Sequence, residues 1–162
     1  HLLCEADDRL ALARGVRGLS ISAARRLNVA IGEDRRTRAR RGRVFTDRYH
    51  ARFITSAKQC RSELAYVLNN WRRHREDVAG AAQRRARIDP YSSAIGFSGW
   101  AGRDGVPFAW PREYEPLPVG YAETWLLRAG WRRWGEIEER MRPGPREEAA
   151  RGERRDPTRA GD

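Results

Sequence analysis

Lysine is nearly missing from this chain: Lys58 is the only one among 33 Lys and Arg residues. GC-rich coding can produce such an arginine excess without selection for binding. The charge alone therefore does not prove a polyanionic partner. Cysteine is equally scarce, with only Cys4 and Cys60 present, far apart. That excludes a disulfide scaffold and points to a reducing cytoplasm. There is no C-x-x-C pair, so a structural zinc site is not expected. Neither H-x-H nor H-E-x-x-H occurs. Long apolar runs are absent too, which argues against a membrane span. No internal repeat is evident. Residue 1 is His rather than Met, and nothing resembles a cleaved signal, so a fragment of a longer protein is expected.

What is present is positive charge and tryptophan. The chain has 162 residues, a formal net charge of +11 and a pI near 11.0. That balance suits nucleic acid as partner. Hydrophobic residues make up 40%, and six Trp supply large buried area for a modest core.

Residues 1–6 are mostly apolar and read as the end of a strand. Asp7 and Asp8 offer N-capping oxygens to a helix over about residues 9–31. Its stripe of Leu12, Val16, Leu19, Ala23, Leu27 and Ala30 is expected to be buried. Gly15 and Gly18 weaken this helix, and Gly32 suits its end. Residues 35–43 hold six Arg in nine positions, either a solvated loop or a phosphate clamp. Residues 44–55 alternate β-branched and aromatic residues and predict one or two strands.

Ser56 is placed to cap a helix over about 57–76. Ala57, Cys60, Leu64, Val67, Leu68 and Trp71 form its apolar face. Tyr66 and Asn70 fall on the opposite side. Residues 77–121 read as loops. Residues 122–140 read as a last helix, or two short ones broken near Gly130 or Gly135. Trp125, Leu126, Trp131 and Trp134 are expected to pack it down. Residues 142–162 have six Arg against five acids and lack apolar residues, so a disordered tail is expected. The expected division is 1–76, 77–141 and 142–162.

A tyrosine on the polar face of an amphipathic helix is poorly explained as core filling. It is either an exposed contact residue or a nucleophile. A phenolate can attack a phosphodiester and hold the cut end as an ester, conserving the bond for rejoining. His1 heads an apolar stretch that can present it rigidly. His50 and His74 are the other histidines, and the arginines beside His74 disfavour a metal there.

Several segments together resemble one family. HLLCEADD at the start looks like the second half of a histidine-hydrophobic-histidine segment. GRVFTDRYHAR at 42–52 resembles a G-x-x-F-x-x-R-Y stretch. LAYVLNNWRRH at 64–74 resembles a Y-x-x-x-N segment. DPYSSA at 89–94 and TWLLRAGWRRWG at 124–135 are similar to later segments. In that order and spacing they resemble the REP-associated tyrosine transposases, a branch of the single-tyrosine HUH transposases.

The resemblance implies an α+β, ferredoxin-like (RRM-like) fold. Its first strand and helix, and the first histidine of the pair, would fall before residue 1. A C-terminal helical extension and the tail would follow. The implied activity is metal-dependent cleavage and transfer of single-stranded or hairpin DNA in transposition. Tyr66 would be the nucleophile. His1 and Asn70 would be ligands to Mg²⁺ or Mn²⁺. Arg35, Arg36, Arg38, Arg40, Arg41, Arg43 and Arg48 would contact DNA. A homodimer, no membrane association, and a cytoplasmic, nucleoid-associated location complete the expectation. Tyr49 or Trp71 are candidates to stack on bases, with core packing favoured for Trp71. The alternative is a decayed or domesticated nucleic-acid binder without catalysis. A histidine encoded two positions before His1 would discriminate the two. A basic RNA-associated protein, with no role for Tyr66, is the third reading.

Overall fold

The structure, a computed structural model, describes residues 1–34, 43–47, 49–109 and 119–144. The chain forms two compact units: Cys4–Ile54, and His1–Leu3 together with Thr55–Asp162. Among the described residues there is no β-strand, only an isolated parallel bridge between Trp100 and Ile137. The expected α+β, ferredoxin-like sheet is therefore incorrect. The structure is mostly helical with irregular connections.

In the Cys4–Ile54 unit, helix α1 runs Arg9–Asp34. Asp8 caps it, with Oδ1 accepting from Ala11 N at 2.7 Å. Gly15 and Gly18 lie within it without ending it. The expected buried stripe is not buried: Leu19 and Leu27 are 50% and 44% exposed. Residues 1–6 and the described residues of 44–55, read as strands, are irregular. Alternating aromatic and β-branched residues favour a strand only where a neighbour supplies ladder partners and one face is covered. No described segment pairs with the described residues of 43–54, and Phe45, Tyr49 and Phe53 are exposed. Phe53 instead lies under the Arg9 guanidinium, 5.4 Å from the ring centroid.

The other unit is built on helix α2, Ala57–Leu68. Ser56 Oγ accepts from Gln59 N at 3.2 Å, and Gln59 Oε1 accepts from Thr55 N at 3.0 Å. The first bond satisfies an N–H that the opening turn leaves free, and the second ties the residue before the cap to that turn. Cys60, Leu64, Leu68 and Trp71 are buried, as their spacing predicted, and Ala65 joins them. The helix does not reach residue 76. It stops at Asn69, followed by helix α3 over Asn70–Arg73 and a 3₁₀ turn at Glu76–Val78. The side chain of Asn69 is drawn away from the helix: it is fully buried, and Nδ2 donates to the Glu138 carbonyl at 3.2 Å. Two further helices are short, α4 at Ala81–Arg85 and α5 at Trp125–Arg128.

The buried face of α2 packs on a 3₁₀ turn at Gly130–Trp134. Trp100, Trp131, Ile95 and Ile137 fill the centre. Trp100 Nε1 donates to the Ala94 carbonyl at 3.0 Å, so the indole is buried without an orphaned donor. Phe97 meets Trp100 edge-on at 5.4 Å and lies 5.6 Å from Trp131. Gly99 makes this packing attainable, because a Cβ there would sit 2.5 Å from the Trp131 ring and 2.6 Å from Phe97.

The segment after the 3₁₀ turn is strapped down by side chains reaching its carbonyls. Arg61 donates to Gly135 O at 2.8 Å and Glu136 O at 2.6 Å. Arg72 Nε donates to Glu139 O at 2.9 Å. Ala101 N reaches Ile137 O at 2.9 Å. No described helix is long and apolar enough to cross a membrane.

Candidate functional site

Tyr66 lies in the third turn of α2, two residues from buried Leu64 and Leu68. The 100° step of the helix turns its ring away from their face. It is partly buried, not sunk among aliphatic side chains. Its hydroxyl oxygen lies 3.4 Å from Nε2 of exposed His1, with the ring planes at 80° and the centroids 4.9 Å apart. Either group can donate, according to the imidazole tautomer. Residues 65 apart in sequence thus share one surface point.

Asn70 opens α3 just past the break at Asn69. Its Oδ1 is buried without a hydrogen-bond partner among the described residues. An orphaned acceptor is a costly arrangement, offset when a donor or cation occupies it. The neighbouring Asn69 is a fully buried residue that sequence reasoning misses. Its signal, an amide at the end of an apolar helical face, was hidden beside the matching motif position of Asn70. No three His, Cys, Asp or Glu side chains cluster as a metal centre among the described residues.

Of the arginines expected to contact DNA, Arg43 is described and exposed. Arg35, Arg36, Arg38, Arg40, Arg41 and Arg48 lie outside the described residues, as does the tail from residue 145. Elsewhere, several arginines are used internally. Arg72 pairs with Asp77 at 3.1 Å, both side chains about nine-tenths buried. Arg87 Nε donates to Glu139 Oε1 at 2.8 Å. Arg103 covers the Phe108 ring at 3.9 Å. The fold thus takes up part of the charge that the composition alone assigns to a ligand.

The DPYSSA segment forms a turn. Asp89 Oδ1 accepts from Tyr91 N at 2.9 Å, and Ser92 Oγ accepts from Ala94 N at 3.2 Å. Burial raises the Asp89 carboxyl above its ordinary 3.8; the Tyr91 N–H opposes this, and the Glu76 charge adds to it. A raised folded-state pKa means the folded form holds its proton longer. The stabilisation is complete below 3.8 and is lost as pH climbs through the raised value. Asp89→Asn keeps the acceptor and removes the charge. The variant is expected to melt above wild type at pH 7, with the gap closing below pH 3.8. Paired thermal melts check this; an equal gap at both pH values would contradict it.

The tryptophans expected to pack the C-terminal helix divide. Trp131 is buried at 2% exposure, whereas Trp125 and Trp134 are 54% and 55% exposed. Trp71 is a core residue at 4% and Tyr49 is exposed. No protein-family model matches the chain, and neither a curated protein nor a solved structure matches it.

Proposed function

We propose that the chain is a single-strand DNA endonuclease and strand transferase of transposition that works through a 5′-phosphotyrosine. The approach of His1 Nε2 to the Tyr66 oxygen at 3.4 Å carries this reading. It pairs the residue types such chemistry requires, a nucleophile and a base within reach. The reading needs no sheet, because both groups belong to the unit built on α2.

Tyr66 yields its proton to the His1 imidazole as its oxygen attacks the phosphorus. The bond to the 3′ oxygen breaks, and that oxygen leaves as a hydroxyl after taking up a proton. The 5′ end remains esterified to Tyr66. Attack by a different 3′ hydroxyl reverses the step, so no ATP is consumed. The buried, unpartnered Oδ1 of Asn70 is a suitable hard donor. With His1 acting as the base, Asn70 would supply a ligand to Mg²⁺ or Mn²⁺. When bound, the cation supplies charge neutralisation at the scissile phosphate. The proposed substrate is hairpin-bearing single-stranded DNA, met at the nucleoid in the cytoplasm, with the protein acting as a homodimer.

The test is incubation of the purified chain with labelled hairpin-bearing single-stranded DNA and Mg²⁺ or Mn²⁺. A labelled band that survives boiling in detergent and is lost with EDTA is expected. Binding without any adduct would instead favour a non-catalytic binder, the reading that the net charge of +11 supports on its own.

A further inference from the structure

Two large indoles stand in solvent within one segment of the Tyr66-bearing unit, Trp125 at 54% exposure and Trp134 at 55%. Tryptophan is usually well covered, so two such rings within ten residues require a reason. Each has a cation beside it. The Arg133 guanidinium is 5.6 Å from the Trp125 ring centroid, and Lys58 Nζ is 5.5 Å from that of Trp134. Residues 124–135 contain Arg128, Arg132 and Arg133 and no acid, with Glu123 and Glu136 bounding the stretch. All three arginines are exposed.

The Trp125 ring is held in place rather than loose. It rests on Gly130, where a Cβ would fall 2.6 Å from Cζ3 and 2.8 Å from Cε3. Gly130 is therefore what lets the indole lie down on the backbone. The segment itself is pinned through Trp131 in the core and through Arg61 on the carbonyls of Gly135 and Glu136. Rigid aromatic faces flanked by cations suit a strand with unpaired bases. The rings take the bases, and the guanidinium and ammonium groups take the phosphates.

We infer that Trp125 and Trp134 form a base-stacking platform for single-stranded nucleic acid, with Lys58, Arg128 and Arg133 holding the backbone. A protein partner would also favour exposed Trp and Arg. The local arrangement favours the polyanion, since every charged group in residues 124–135 is positive and a cation stands beside each ring. The platform goes beyond the cleavage reading and does not depend on Tyr66 chemistry.

The experiment is fluorescence anisotropy with a labelled oligothymidylate, an abasic strand of equal length and a duplex, all in EDTA so that no cleavage step takes part. Wild type is expected to bind oligothymidylate at least about fivefold more tightly than the abasic strand. The Trp125→Ala/Trp134→Ala pair is expected to lose about that factor or more per indole and to stop discriminating the two strands. The Trp125→Phe/Trp134→Phe pair retains most of the affinity, because a ring remains. Equal binding of the abasic strand or the duplex by wild type would overturn the platform. So would undiminished binding by a folded Ala pair, or an equal loss in the Phe pair. The strand comparison uses wild type alone, so a variant that fails to fold does not remove the test.

Discussion

Replacing Tyr66 with Phe is expected to leave a folded chain that still binds single-stranded DNA and forms no covalent adduct, a loss of at least about a thousandfold. The substitution deletes one oxygen and little else. The edge-on contact of the ring with His1, 4.9 Å between centroids, survives in phenylalanine. The 3.4 Å approach to Nε2 does not. A structural role for the ring would tolerate the change, and only nucleophilic chemistry requires the oxygen. Tyr49, Tyr91 and Tyr121 are all exposed and serve as internal controls. An adduct that persists in Tyr66→Phe would mean that another group attacks, and the assignment of Tyr66 would fall. The readout is the detergent-resistant band, alongside a binding measurement that shows the DNA is still held.

The largest stability effect is expected at Arg72. Its guanidinium donates to the Glu139 carbonyl at 2.9 Å, to the Asp77 carboxylate at 3.1 Å and to the Arg87 carbonyl at 2.6 Å. Three separate stretches of chain meet on one planar fork. Asp77 is only 8% exposed, and its Oδ1 already lacks a partner among the described residues. Arg72→Ala would leave that carboxylate buried without its cation, at a cost of about 3–5 kcal/mol. This is a large share of the roughly 5–15 kcal/mol that holds a typical domain together. Arg72→Lys should rescue little, because an ammonium is a point donor and cannot reproduce the fork. Urea unfolding measures the difference. A loss under about 1 kcal/mol would show that the fork contributes only what a surface ion pair does.

Local signals were read well. Asp8 and Ser56 cap the helices they were expected to cap, since a cap bond spans only two or three residues. The buried residues of α2 followed from helical spacing for the same reason. The 3.4 Å approach of Tyr66 to His1 joins residues 65 apart, which no local signal in the sequence marks. The expected sheet is absent among the described residues. Alternation in residues 44–55 states a preference that only a partner strand can realise, and none is present among the described residues. The spacing of the α1 stripe predicts burial, yet Leu19 and Leu27 are exposed. Trp125 and Trp134 are exposed where packing is expected, because a tryptophan carries no mark in the sequence of which surface it meets.

From the sequence alone came the net charge, the scarcity of cysteine, the caps and the apolar face of α2. Each depends on composition or on residues within a few positions of one another. The tertiary structure alone decided where α2 stops, which tryptophans are sheltered and which arginines are consumed internally. Those outcomes rest on contacts such as Asn69 with Glu138, 69 residues apart, and Arg61 with Glu136, 75 apart. Whether a guanidinium serves the fold or faces solvent depends on which carbonyls the folded chain brings within about 3 Å of it.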